Sequence, residues 1–443
     1  MASPSHDLLT GDISSTLRRM TLSMLTGMVT LMTFNLVDTL FVSRLGTEPL
    51  AAISFTFPVT FTVISLTIGL GVGTSAVIGR TLGRGRASLA KRQGNGALWL
   101  SVLLVALLSS LGAWQLEAIF GLIGANDTQM ALIKDYMYLW FLGSPLLAIP
   151  MVANAVLRAN GDTATPSRFM MLGGLINAVL DPLLIFGIGP FPRLELFGAA
   201  LATVLAWVGG AFGVLFILYV RRKLATFAWP SPIMVLHYWK SLLAIGLPAA
   251  GANMMTPLAM AVMTAIVADY GAAAVGAFGV GTRLESLASM VVLALSMTLP
   301  PFVSQNFGAE QMERVRLAYR KVMRFILGWQ LALYGLMLVL AWPISLLFGK
   351  DAQVAELIRL FIYIVPLGYG LQGVVILTNS SFNAMHWPGK ALALSALRFF
   401  AAYVPIAWLG GQFFGLTGLF AGMVVANLIT ALVAYRWFNK ETA

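Results

Sequence analysis

Runs of about twenty apolar residues recur along this chain from one end to the other, and no other feature restricts its fold as much. A run of that length crosses the hydrocarbon of a bilayer as a helix. No water meets the backbone there, so each segment must pair its own N–H and C=O groups. Twelve spans are read, at 15–43, 51–78, 95–120, 130–157, 166–189, 196–220, 241–268, 273–302, 322–348, 352–381, 388–410 and 414–437. Charged residues make up only 10% of the 443 residues, against roughly 25% in a soluble domain. The expected fold class is an all-α polytopic membrane protein with twelve transmembrane helices and no separate soluble domain. The lipid bilayer is its first partner. The opening residues are polar and the first span is too long for the apolar core of a signal peptide, so no cleaved leader is expected.

A net charge of +11 would suggest nucleic acid in a soluble protein. Here the placement of the charge gives another reason. With the N-terminus on the inner side, twenty-one Arg and Lys residues fall in inner segments and five in outer ones; the other two, Arg283 and Arg398, fall inside spans. This positive-inside bias puts both termini in the cytoplasm, and no nucleic-acid partner is expected. The chain has no Cys, which removes disulfides, thiol nucleophiles and iron–sulfur clusters. Its three His residues, His6, His237 and His386, fall in a tail, a linker and a loop and form no metal constellation. No intramembrane His stands beside a Ser or Asp, so an enzyme would lack its nucleophile–base pair.

The chain is written twice. SRLGTEPLAAIS (43–54) resembles ADYGAAAVGAFG (268–279), with Gly46 matching Gly271 at an offset of 225. Gly83 matches Gly308 and Asn154 matches Asn379 at the same offset. Six helices per copy give both copies the same orientation, so the repeat axis runs along the membrane normal. The expected domains are a tail (1–14), an N-lobe (15–220), a cytoplasmic linker (221–240) containing Trp229-Pro230-Ser231-Pro232, a C-lobe (241–438) and a tail (439–443). Two facing lobes leave a central cleft, the usual place for a transported substrate. Gly69, Gly71 and Gly73 lack a Walker lysine and a preceding strand, so close helix packing is preferred to phosphate binding. The same reading is given to Gly411/Gly415 and Gly418/Gly422.

Asp38 and Asp181 break otherwise apolar spans. A carboxylate at that depth is costly and by default marks function. Asn35 shares a helical face with Asp38, and Asn177 shares one with Asp181. Pro182 removes a backbone donor beside Asp181 and frees the carbonyl of Ala178. Two carboxylates in a low dielectric disfavour double ionisation, so the pair can carry a proton. With Asn177 and a hydroxyl it also offers the hard oxygen ligands of a small alkali cation. The bland alternative is an acid held by helix-to-helix hydrogen bonds. Arg283 and Glu285 are candidate cleft charges; two residues apart, they point to different faces and need partners elsewhere. Arg398 is read as snorkelling or lining the cleft, with a structural role preferred. Tyr136, Asn154, Thr203, Asn379 and Asn383 supply helix-borne hydrogen-bonding groups. Twenty-two Met and 27 Phe suit an adaptable pocket for varied apolar ligands.

Several stretches resemble the multidrug and toxic compound extrusion (MATE) family, most closely its DinF-like branch. They are FNLVDTLFVSRLGTEPLAA (34–52), IGRTLGRG (78–85), NAVLRANGDTATP (154–166), GLINAVLDPLLIFG (174–187) and GAALATVLAW (198–207). The resemblance covers essentially the whole chain, and the Asn–x3–Asp–Pro string at 177–182 is its most specific part. By position it implies a cation or proton site with Asp38, Asn177 and Asp181 at its core. Asn154 and Tyr136 stand around them, and Thr203 supplies a hydroxyl from the sixth helix. Many relatives carry an early proline in the first helix, linked to its bending; Ser23 stands there in this chain, while the repeat partner keeps Pro248.

The resemblance implies a secondary multidrug antiporter of the bacterial cytoplasmic membrane; no bound cofactor is expected, and a monomer is the expectation although the sequence does not encode the oligomeric state. It would exchange small amphipathic, cationic drug-like substrates for H⁺, or for Na⁺ at Asp38, Asn177 and Asp181. No nucleotide motif is present for a self-contained ATP pump. A lipid-linked oligosaccharide flippase of the same superfamily is the first rival; an intramembrane enzyme and a plain channel are the others.

Overall fold

The computed structural model describes residues 8–226, 232–349 and 351–443; the side chains of Asn35, Thr47 and Pro232 also lie outside the description. The string Trp229-Pro230-Ser231 of the linker and His6 fall outside it too. The described residues are almost wholly helical and contain no strand. The first half holds α1 (Ile13–Ser43), α2 (Thr47–Gly83), α3 (Ala87–Trp114), α4 (Asp127–Ala159), α5 (Ala164–Phe186) and α6 (Glu195–Arg221). The second holds α7 (Pro232–Ala268), α8 (Ala272–Ala288 and Met290–Gly308, interrupted at Ser289), α9 (Met312–Phe348) and α10 (Ala352–Ala384). A final helical stretch, Pro388–Thr442, loses helical geometry at Phe414 and Gly415, which divides it into α11 (388–413) and α12 (416–442). Twelve helices in two six-helix lobes result. The third apolar run ends earlier than its sequence suggests, at Trp114, and Leu116–Ile123 forms a separate short helix.

Local chemistry explains the turns. Gly46 (φ +119°) starts α2 and Gly271 (φ +96°) starts α8; an L side chain rarely adopts this backbone, so each copy keeps a glycine at the same place. After α4, Gly161 (φ +83°) turns the chain and Asp162 caps α5. Asp162 accepts from the Thr165 N–H at 3.0 Å, the Thr165 hydroxyl at 2.8 Å and Arg222 Nη2 at 2.9 Å. The string NGDTATP therefore ends one helix, starts the next and ties both to the end of α6.

Helices in lipid gain little from apolar burial against one another and depend on close approach of small residues. The lobes meet in this way along a pseudo-twofold axis. A Cβ at Gly79 would strike Ser304, its own repeat partner. One at Gly83 would strike the Gln305 backbone, and one at Gly308 would strike the Arg80 backbone. Since 80 matches 305 and 83 matches 308, the contact is reciprocal, as a two-fold interface requires. Gly69 and Gly73 pack likewise on Gly246 and Leu242 of α7. Close packing is thus the role of these α2 glycines.

All of these contacts lie toward the end of the bundle that carries the chain termini. There Thr21 and Thr298 hydroxyls meet at 3.0 Å, Gln305 Nε2 donates to the Ala159 carbonyl at 2.6 Å, and His386 Nε2 lies 3.1 Å from the Ala76 carbonyl. Residues 8–14 join the same seal. Leu8 is buried in the C-lobe core, and Arg314 Nη2 donates to the Gly11 carbonyl at 2.9 Å. At the far end, each hydrophobic core belongs to a single lobe. No hydrogen bond among the described residues crosses between the lobes there. The lobes are joined at the terminal end, and at the other end each keeps a core of its own.

Candidate functional site

Asp38 and Asp181 each lie five residues before the far end of their helices, α1 and α5, so they sit at one depth. These two helices pack along their length. Gly27 lies against Ser167, and the Phe34 ring rests on Gly174, where any side chain would push it away. That contact brings the Asp38 and Asp181 carboxyl groups within hydrogen-bonding reach of each other. A bond between two carboxyls needs a proton between them. Asp181 is fully buried. Its Oδ1 accepts from Asn177 Nδ2 at 3.3 Å, one helical turn back, while no amide or hydroxyl donor reaches its Oδ2. Pro182 sits inside an unbroken α5, and α1 is likewise continuous past Ser23.

Asn177 Nδ2 also lies 3.5 Å from the Thr203 hydroxyl of α6, which in turn donates to the Ala199 carbonyl at 3.0 Å. The Tyr136 side chain of α4 lies within electrostatic reach of both aspartates. Asp38, Asn177, Asp181, Thr203 and Tyr136 are therefore one group drawn from four helices. Asn154 is buried nearer the terminal end of α4; no described hydrogen bond links it to the acids, and its Oδ1 has no partner. The repeat partner Asn379 has the same unpartnered Oδ1, while its Nδ2 donates to Ser395. The side chain of Asn35 lies outside the description. A lone carboxylate at membrane depth costs about 3 kcal/mol on insertion scales. A proton shared between the two would remove one of the charges. The oxygens of Asp38, Asp181, Asn177 and Thr203 also suit a small hard cation.

Arg283 and Glu285 do not act as a pair. Arg283 is exposed, whereas Glu285 accepts from Gln372 Nε2 of α10 at 2.8 Å. Glu285 lies one turn before the break in α8, and Arg398 of α11 is within its electrostatic reach. Arg398 is buried at 7% exposure, so it does not snorkel to a surface. Gln372 carries no sequence signal beyond being a polar residue inside a span.

The family model MatE matches this chain twice, over residues 24–183 and 248–409. The chain belongs to the MatE family. Its members are transporters, not enzymes, and the doubled match follows the two lobes. The chain is 43% identical to a protein of Shewanella oneidensis named "FAD transporter", over 97% of this chain and 95% of that one. It is 26% identical to "Multidrug export protein MepA" of Staphylococcus aureus, over 93% and 90%. Among solved structures, the Vibrio cholerae MATE transporter VcmN in its bent form superposes with a TM-score of 0.93 at 34% identity, covering 97% of each chain. This MATE chain thus shares its twelve-helix, two-lobe architecture with solved transporters.

Proposed function

We propose that this MATE transporter is a proton-driven exporter of amphipathic organic molecules, with the Asp38–Asp181 pair as its coupling site. The observation that carries the reading is the approach of these two carboxyls from α1 and α5 at one depth, beside Asn177 and Thr203. Basic residues crowd the terminal end, which orients that end toward the cytoplasm of a bacterial cell. The lobes then part toward the outside, in the state that releases substrate and takes up the ion. Protonating the pair changes how α1 packs on α5 and α6; losing the proton inside restores the other state. Coupling arises because the two states hold proton and substrate with different strength. Thr203 holds Asn177 beside Asp181, Tyr136 stands within electrostatic reach of both acids, and Na⁺ at the same oxygens is the alternative coupling ion. The chain acts as a monomer.

The multidrug relatives support drug-like substrates, and the chain's 22 Met suit an adaptable apolar pocket for them. A second reading, export of a flavin dinucleotide, is favoured by the 43% identity to a protein named for that cargo. Both use the same coupling site. Purified protein in proteoliposomes with a pH gradient and no sodium is expected to drive ethidium or flavin exchange. Asp38→Asn and Asp181→Asn are each expected to lower it by about 100-fold, near the top of the usual coupling range. Folded variants that exchange as well as wild type would overturn the assignment.

A further inference from the structure

The C-lobe holds a second polar group that proton coupling leaves unused. Arg398 lies where α11 widens into a π-helical turn, 397–403, a distortion often found at functional sites. Its guanidinium sits 4.7 Å from the Phe399 ring, and its Nε has no hydrogen-bond partner. No described carboxylate lies within 4 Å of it; the salt bridges of the described residues are all elsewhere. Glu285 is within its electrostatic reach, but the Glu285 carboxylate is held by Gln372. Tyr369 of α10 is 3% exposed, lies near Glu285 and has an unpartnered hydroxyl. Tyr403, on the same π-turn as Arg398, lies near both charges. At the repeat-equivalent positions the N-lobe has Gly173 for Arg398, Leu147 for Gln372 and Thr60 for Glu285, so this chemistry exists in one lobe only.

A buried guanidinium without a contacting anion costs several kcal/mol, and its planar fork matches the paired oxygens of a phosphate or carboxylate. We propose that Arg398, with Tyr369 and Tyr403, forms an anion-recognition site for the phosphate or carboxylate of an amphipathic substrate. Gln372 holds Glu285 back from the guanidinium. In the free site Glu285 balances Arg398 at a distance; an arriving anion replaces that balance with direct hydrogen bonds. The site deepens the export reading, but it names the other lobe and the opposite charge.

The test is binding of FMN and of riboflavin, which share one ring system and differ by a phosphate, to the full chain in lipid nanodiscs. Flavin fluorescence is the readout, and no gradient is needed. Wild type is expected to bind FMN about tenfold more tightly than riboflavin, a difference of about 1.4 kcal/mol. Arg398→Gln is expected to abolish that preference while riboflavin binding is unchanged. Arg398→Lys should keep part of it, and Glu285→Gln should raise FMN affinity several-fold. Equal FMN and riboflavin binding by wild type, absence of FMN binding, or an unchanged preference in Arg398→Gln would each overturn the site. So would equal loss of both ligands in the Gln and Lys variants. Failure of the export reading looks different: FMN binds with its preference intact, yet a pH gradient moves nothing.

Discussion

At the depth where α1 and α5 bring two aspartates together, the matching positions of the second lobe hold Met263 and Ile406. Tyr136 is answered by Phe361, and Asn177 by Ala402. These four residues pack in or against one hydrophobic cluster, with Phe361 edge-on to Phe420 and its ring closed over Gly281. The backbone plan was duplicated and the chemistry was divided. One lobe keeps a cluster of polar side chains and the other fills the same space with hydrocarbon, carrying its own charges one layer away at Glu285 and Arg398. Helix packing demands small residues and turn glycines, which both copies retain at Gly46/Gly271 and Gly83/Gly308. Buried charge is costly and need not be paid for twice. A transporter that couples through one lobe can let the other serve its substrate.

Writing the acid into the wrong lobe should do the most damage. Met263→Asp buries a carboxylate among Phe361 and its neighbours without a partner, at an expected cost of about 3–5 kcal/mol. Gel filtration and thermal unfolding should show little folded protein, whereas Asp181→Asn should remain folded. A well-folded Met263→Asp protein would mean that the C-lobe space is polar after all.

The seal shows the same divergence. His386 matches Gly161, and both adopt positive φ, +63° and +83°. The histidine uses that turn to reach the Ala76 carbonyl across the lobe boundary. Burial lowers its pKa to about 4; the Ala76 carbonyl opposes this, and Arg80 and Arg84 add to it. Between pH 4 and the ordinary value near 6.5, the unfolded chain binds a proton that the folded chain refuses. Its contribution, about 3 kcal/mol, is thus fully present above pH 6.5 and declines as pH falls toward 4. Melting temperatures at pH 7 and pH 5 should differ for wild type and differ less for His386→Gly, which restores the N-lobe residue. An equal pH slope in both would remove His386 from the seal's chemistry.

A smaller effect is expected where the chain's beginning crosses lobes. Arg314→Ala removes donors to Asn306 Oδ1 at 3.0 Å and to the Gly11 carbonyl at 2.9 Å. The expected loss is about 1–3 kcal/mol from the sealed state, read as faster labelling of a cysteine placed at Ile13, which is buried in the C-lobe core. Unchanged labelling would make residues 8–14 a passive tail.

Much of this was legible in the residues. The 225-residue offset predicts the two lobes, and the apolar runs predict the helices. Two acids inside such runs point to a site before any coordinates, because so few residue types are tolerated there. Other features leave no local signal. The helices run past their apolar spans, α9 from Met312 rather than 322, because charged turns beyond the hydrocarbon are still good helix. The docking of Leu8 is a tertiary contact of one hydrophobic residue in a polar segment. Gln372 as the partner of Glu285 depends on how α8 and α10 cross. The burial of Arg398 depends on a π-turn that periodicity does not encode.

The N-lobe pair alone is expected to sense the coupling ion. The chain has no cysteine, so Leu122→Cys in the N-lobe and Leu347→Cys in the C-lobe, both highly exposed at the far end, can carry unique spin labels. The distance distribution between them should shift between pH 5 and pH 8 in sodium-free buffer. It should shift equally in Glu285→Gln and not at all in Asp38→Asn/Asp181→Asn. A shift that survives in the double aspartate variant, or one that disappears in Glu285→Gln, would contradict the account.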